Sequence, residues 1–434
     1  MARAGCNGGT WRNGRHMSSV DSAQTSLRVE LETSVDGLLR YCRQNNWAGF
    51  DPYDALNSRV FALLPLSRSR YCRIALTQAL KRLPVNLRPL LGISKEQNPK
   101  GLALFLTALI KLSRVGMLRE DDLIESLVGR LIVLRSPNTS HWCWGYSFPW
   151  QTRTVLVPRG APNLVCTAFV ANALLDLYDM YEDARCFEMA VSAADYIAQD
   201  LYWSENTISG FSYPMPGVRN QVHNANFLAS ALLCRVFNRT GDQKFLEPAL
   251  NAARYSAAAQ APNGSWSYSE SRTQGWIDNF HTGFNLCALR SIARYGATVE
   301  FDTQIRTGFD FYVSNFFDKS GAPKYFHNRR YPIDAHCVAQ SIITLLALRD
   351  LADGSAGLAD SVFRWAMTRM WDERGYFYYQ VLPFGRNKLS YMRWSQAWML
   401  LALSTLLESS RTIAPTVKGS TEELATVATD RLHD

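Results

Sequence analysis

Residues 275–295 read GWIDNFHTGFNLCALRSIARY. An apolar helix begins near His281, and Trp276, Asp278, Asn279 and His281 stand at its entrance. A helix that only fills a core has no use for an indole, an acid, an amide and an imidazole at its mouth. The pattern of polar entrance and apolar helix returns along the chain, and that recurrence decides the fold.

Such helices start at Gly101 (GLALFLTALIKL), Cys166 (CTAFVANALLDLY), His223 (HNANFLASALLCRV), His281, His336 (HCVAQSIITLLAL) and Trp394 (WSQAWMLLALSTLL), at intervals of 65, 57, 58, 55 and 58 residues. A period of this length marks stacked supersecondary units. Each helix is apolar on nearly every face and is therefore buried all round. A second series, a glycine followed by aromatics, runs in phase at Gly49, Gly145, Gly210, Gly264, Gly321 and Gly375. These loops follow more polar, amphipathic segments such as 183–201, 243–260 and 302–317, the second opened by Asp242 as N-cap. The unit is an inner helix, a turn, an outer helix and an aromatic loop. One hairpin cannot bury its own apolar face, so neighbours must stack.

The two ends complement each other. A helix at about 27–45 precedes WAGFDPY with no inner helix before it, and the inner helix 394–407 has no outer helix after it. Pairing them closes six hairpins into an all-α fold, an (α/α)6 toroid. An open stack would leave them as caps with polar outer faces, which WMLLALSTLL lacks. The toroid is expected over 23–410, with an insertion at 57–91 interrupted by Pro65, Pro84 and Pro89. Segments 1–22 and 411–434, rich in small and polar residues, read as flexible tails.

In a closed ring the inner-helix starts and aromatic loops face one end. His223, His281 and His336 are then expected at one repeat position, side by side around a funnel. A residue at a helix start can also be a plain cap or packing group, and the phase of all three is what favours a cavity. The expected catalytic residues are Asp278, His281, His223 and His336. The expected substrate-binding residues are Trp266, Tyr268, Asn224, Trp142, Trp144, Arg153, Tyr213 and Asp51.

The 46 basic and 38 acidic residues give a formal charge of +8, and the basic residues are scattered, so no nucleic-acid partner is expected. Nine cysteines with no CxxC fit free, buried thiols in a reducing compartment. No apolar signal-peptide core and no run of 18 apolar residues is present. The expectation is a cytoplasmic protein. There is no Walker loop, no G-x-G-x-x-G after a strand and no G-x-S-x-G, so nucleotide and serine-hydrolase chemistry gain no support.

Several chemistries suit an aromatic, polar funnel. Sugar hydrolysis needs two carboxylic acids, for which Asp278, Asp51, Asp54, Asp334 and Glu270 are available. Elimination or epimerisation at a uronic acid would use a His or Tyr base, with an amide or an arginine such as Arg153, Arg159 or Arg393 to offset the carboxylate. Zinc on His281, His336 and a cysteine is weaker, because His336 and Cys337 project about 100° apart on a helix; no metal and no cofactor are expected. Isoprenoid cyclisation lacks its DxDD or DDxxD cluster.

The strings NPKGLALFLTALIKL (98–112), CWGYSFPWQTR (143–153), PNLVCTAFVANALLDLYD (162–179), VHNANFLASALL (222–233), GSWSYSE (264–270) and WIDNFHTGF (276–284) resemble the polysaccharide biosynthesis proteins of bacterial exopolysaccharide gene clusters, six-hairpin toroid proteins. The resemblance spans about residues 95–400. It implies a bacterial protein acting on or beside a glycan, nascent or lipid-linked, with contact to the inner membrane or the synthesis complex. It carries over no catalytic residues. The combined expectation is a carbohydrate-active protein of glycoside hydrolase, lyase or epimerase type. The rivals are a non-catalytic glycan- or partner-binding toroid and an enzyme of isoprenoid or lipid-linked substrates.

Overall fold

The structure, a computed structural model, is described over residues 19–412. Its helices are α1 (Ser19–Gln44), α2 (Arg59–Ala62), α3 (Arg70–Arg82), α4 (Pro99–Arg114), α5 (Asp121–Val133), α6 (Leu164–Tyr181), α7 (Ala184–Asp195), α8 (His223–Thr240), α9 (Gln243–Ala258), α10 (Asn279–Tyr295), α11 (Asp302–Phe316), α12 (Ala335–Ala347), α13 (Ser355–Met370) and α14 (Trp398–Thr412).

The inner helices are α4, α6, α8, α10, α12 and α14. Each packs on the next and α14 packs on α4, so their contacts run in a closed cycle. Helices α5, α7, α9, α11 and α13 each lie outside the inner helix before them, and α1 packs against α14. The first outer helix thus completes the last hairpin, as the unpaired ends require. The layering follows from sequence. Helix α9 buries Phe245, Ala249, Ala252, Ala253 and Ser256, one stripe at helical spacing, and turns the rest outward. Helix α6 buries residues on every face. By length and composition α6 could cross a membrane; here it is an inner helix of the ring.

Helix α1 starts at Ser19, four residues before the expected boundary at 23, and α14 runs on to Thr412. The remaining tail segments, 1–18 and 413–434, lie outside the described residues. The insertion forms α2, a 3-10 turn at Pro65–Arg68 and the longer α3. The helical frame also carries short antiparallel strands in its loops, such as Tyr202–Glu205 against Ile208–Phe211. Strands of two to four residues leave too little alternation to be read as a period. All eight described cysteines are free thiols.

Three hydrogen bonds tie the first aromatic loop to the start of the last inner segment at the loop face. The Arg393 guanidinium donates from Nε and Nη2 to both carboxylate oxygens of Asp51, at 2.7 and 2.8 Å. The Met392 amide donates to the Phe50 carbonyl at 3.2 Å. Both charges of the pair are buried, and removing one partner would strand the other in low dielectric. Asp51→Ala is therefore expected to lower the unfolding free energy by roughly 3 kcal/mol in urea titrations, with most of the loss recovered in Asp51→Ala/Arg393→Met.

Candidate active site

The inner helices share a start. Asn98, Asn163, Asp278 and Asp334 cap α4, α6, α10 and α12, each accepting a bond from a backbone amide in the first turn, which is what an Asx N-cap does. The residue after next then faces the toroid axis. In the six inner segments these second residues are Lys100, Val165, Asn224, Phe280, His336 and Arg393 (Arg393 in the π-helical turn Met392–Ala397 that leads into α14). All six line one cavity of about 320 Å³ at the loop end of the ring. Tyr53, Tyr146, Trp150, Tyr213, Tyr268, Trp276, Tyr325 and Trp394 supply much of its wall.

The expectation that His223, His281 and His336 share a repeat position is corrected by this register. They are the first, third and second residues of α8, α10 and α12. One residue turns a side chain by about 100° on a helix, so the three point in different directions. His281 and His336 line the cavity and His223 does not. His223 is buried beside it, and burial pulls its imidazole below the usual range.

Asp278 does more than cap α10. Its Oδ1 accepts from the His281 amide at 2.9 Å and its Oδ2 faces His281 Nδ1 at 2.7 Å. With the Nδ1 proton donated to the carboxylate, His281 keeps Nε2 as a free base. The ring is held by Tyr268 and Phe280, with centroids 4.6 and 4.2 Å away.

His336 lies deeper. It is 1% exposed and stacked between Phe280 at 4.5 Å and Trp398 at 4.4 Å, with the edge of Trp394 at 4.7 Å. Neither ring nitrogen has a protein partner. Burial, reinforced by the nearby charges of Lys100 and Arg393, holds this imidazole well below its ordinary pKa, so it is neutral. A buried, unpaired polar ring costs stability unless a ligand answers it.

Lys100, which sequence reading passed over, is 4% exposed. Burial, with the nearby Arg393 charge, pushes its ammonium down to about 7. A signal for it existed: a lysine in the first turn of an apolar helix opposes the macrodipole. Lys81, from the insertion, also reaches the cavity and donates to the Tyr53 hydroxyl at 2.6 Å. The insertion therefore builds part of the site.

The expected binding residues divide. Tyr213, Asn224 and Tyr268 line the cavity. Trp144 and Trp266 are core residues whose indole N–H groups donate to the Leu131 and Ser256 carbonyls. Trp142 lies under the Arg135 guanidinium, away from the lining, and Arg153 is exposed on a strand turn. Asp51 stands behind Arg393. Of the five acids considered for hydrolysis, only Asp278 lines the cavity. Asp54 pairs with Arg88, Asp334 accepts from the Trp394 indole and Glu270 is exposed.

A larger hollow of about 670 Å³ opens at the opposite end of the ring, and Phe284 borders both. Its lining holds no imidazole, and Arg235 and Lys111 there are paired with Asp176 and Glu408. The free acid–base groups are at the loop end. Among the described residues no cluster of three or more His, Cys, Asp or Glu is arranged to hold a metal.

No protein-family model and no curated protein matches the chain. Solved structures do match. The cellobiose 2-epimerase of Spirochaeta thermophila superposes with a TM-score of 0.61 at 14% identity, over 92% of this chain and 100% of that one. A glycoside hydrolase family 76 α-mannanase from Bacteroides thetaiotaomicron gives 0.56 at 12% identity, over 74% and 88%. A polysaccharide lyase gives 0.51 at 12% identity, over 74% and 92%. The chain has the (α/α)6 toroid fold. What is built at its loop end is a carboxylate-oriented imidazole, a second neutral imidazole and an unpaired amine inside an aromatic wall. Such a set can take a proton from carbon and polarise the adjoining carbonyl oxygen.

Proposed function

We propose that this chain is a carbohydrate-active enzyme of bacterial exopolysaccharide biosynthesis that moves a proton at a sugar carbon, by epimerisation or elimination. One observation carries the reading: His281, oriented by Asp278, shares a cavity with neutral His336, and that cavity is lined by a single carboxylate. Two-carboxylate hydrolysis needs a second acid facing the scissile bond, and Asp51 and Asp334 are both engaged behind the lining. In the proposed step His281 Nε2 takes the proton from a carbon next to a carbonyl or carboxyl group. The C–H electron pair moves onto that group's oxygen, and the His336 N–H donates a hydrogen bond to it. A neutral imidazole serves well as such an electrophile. In epimerisation the carbon takes a solvent-derived proton on its opposite face and His281 releases its own to solvent. In elimination the C–O bond to the β-oxygen breaks, and that oxygen leaves with a proton from the imidazolium of His281 or from solvent.

The aromatic wall suits pyranose faces, and the epimerase, mannanase and lyase that share the fold are carbohydrate enzymes by name, which supports the class. The exopolysaccharide setting rests on the sequence resemblance. A cytoplasmic location, with a nascent or lipid-linked glycan as substrate, belongs to the same proposal and is supported by the free thiols.

The test is to incubate the protein in D2O, and separately in H2(18)O, with a panel of reducing disaccharides and uronate oligomers. Solvent deuterium on a sugar carbon, or an unsaturated uronate absorbing in the ultraviolet, is the expected outcome. Solvent oxygen in a newly freed reducing end, with no deuterium on carbon, would show hydrolysis and overturn the proposal.

A further inference from the structure

All six inner segments begin at the funnel, so the positive ends of their macrodipoles converge there. Three cations, Lys81, Lys100 and Arg393, line it against one carboxylate, Asp278. Most of this charge is answered inside the protein. Arg393 is held by Asp51, Asp278 by His281, and Lys81 by the Tyr53 hydroxyl with Asp334 nearby. Lys100 is the exception. Its ammonium sits over the rings of Phe169, Trp398 and Phe284, at 4.2, 5.3 and 5.5 Å. It makes no hydrogen bond or ion pair among the described residues. Burying a lone amine without a counter-ion is costly, and a protein keeps such a group where a ligand supplies the counter-ion. His336, on the same Trp398 ring, is likewise unanswered.

We propose that the funnel takes an acidic sugar, a hexuronate unit whose carboxylate seats against the Lys100 ammonium. The proposal rests on the proton-transfer reading above and names its substrate class. It also fits the chemistry. An ionised carboxyl group makes the neighbouring C–H a poor acid, because its removal would put a second charge on one group. An ammonium beside the carboxylate offsets that charge as the proton leaves for His281. The cation–π cage holds the amine without neutralising it, so the amine keeps its full attraction for an anion. Because burial, with the nearby Arg393 charge, lowers the pKa of the unliganded ammonium to about 7, the site is only partly protonated at pH 7. A bound carboxylate draws the proton back onto it, and binding at pH 7 and above takes up a proton from solvent. A sugar phosphate offers the same negative charge, and the experiment separates the two.

Calorimetric titrations of the wild type, Lys100→Met and Lys100→Arg with D-glucuronate, D-glucose and glucose 6-phosphate, in two buffers of different ionisation enthalpy, decide the matter. Glucuronate is expected to bind the wild type roughly tenfold tighter than glucose, a step of one decade in Kd, with proton uptake. Lys100→Met should abolish both the preference and the uptake, and Lys100→Arg should retain the preference. Lys100→Met should melt at or above the wild-type temperature, since it removes an unpaired buried charge; this confirms that the variant is folded. Equal affinity for glucose, undiminished glucuronate binding in folded Lys100→Met, or preference for glucose 6-phosphate would each overturn the proposal. The two proposals fail separately. His281-dependent deuterium exchange on neutral sugars alone would remove only the uronate. Lys100-dependent uronate binding without exchange would remove only the reaction.

Discussion

His281→Ala is expected to lower the rate of solvent deuterium exchange into substrate by roughly 10²- to 10⁴-fold, the usual contribution of a positioned general base. The melting temperature should fall only modestly, because the residue 281 backbone amide still bonds to Asp278 Oδ1 while the buried Oδ2 loses its imidazole partner. Asp278→Asn tests the orienting role separately. Asparagine is as good an N-cap as aspartate, so α10 keeps its start. An amide, however, can present N–H to Nδ1 and select the tautomer that carries its proton on Nε2, which is useless as a base. The loss should appear in kcat far more than in KM. Initial rates of exchange together with thermal melts check both variants. Undiminished exchange in folded His281→Ala would remove the dyad from the mechanism.

Gly264→Ala is expected to destabilise the fold by about 4 kcal/mol, from backbone strain in the left-handed region and overpacking together. Gly264 has φ +87°, and a Cβ there would overlap the carbonyl oxygen of Thr307 on α11. Backbone against backbone leaves no flexible side chain to give way. Gly129, on α5 with open space around it, is the control. Gly129→Ala should be neutral or stabilising by about 0.5–1 kcal/mol, as in any exposed helix interior. Urea unfolding of both variants gives the comparison, and a Gly264→Ala protein as stable as the wild type would show that the loop shifts freely.

That glycine belongs to a series visible in the sequence, and the series illustrates what could be read and what could not. The recurrence of glycine before aromatics marked where each outer helix ends. It did not reveal that Gly264 touches a neighbouring outer helix, nor that the indole of Trp266 runs into the core. An aromatic loop has two sides, and only packing tells which ring covers the core and which faces the funnel. Trp144 and Trp266 went one way; Trp150 and Trp276 went the other.

The histidines show the same limit on a finer scale. Aligning the apolar helices that follow each polar turn placed each start within about two residues, which sufficed to find the ring. A site demands single-residue register, since each residue turns the side chain by about 100°. Asp278 and His281 survived because one caps the helix and the other lies three residues on, a local relation that sequence preserves. Lys100 and Arg393 needed the helix caps to be seen before their common position emerged.

The sequence by itself determined the six hairpins, their layering and their closure. The reason is local: a helix apolar on every face must be surrounded, and a helix apolar on one stripe must cover it. The tertiary structure alone decided the site's membership. Asp51 and Arg393 are 342 residues apart, and Lys81 arrives from an insertion outside the repeat. Whether such groups meet, and whether a neighbour answers their charge, depends on distances set when the ring closes.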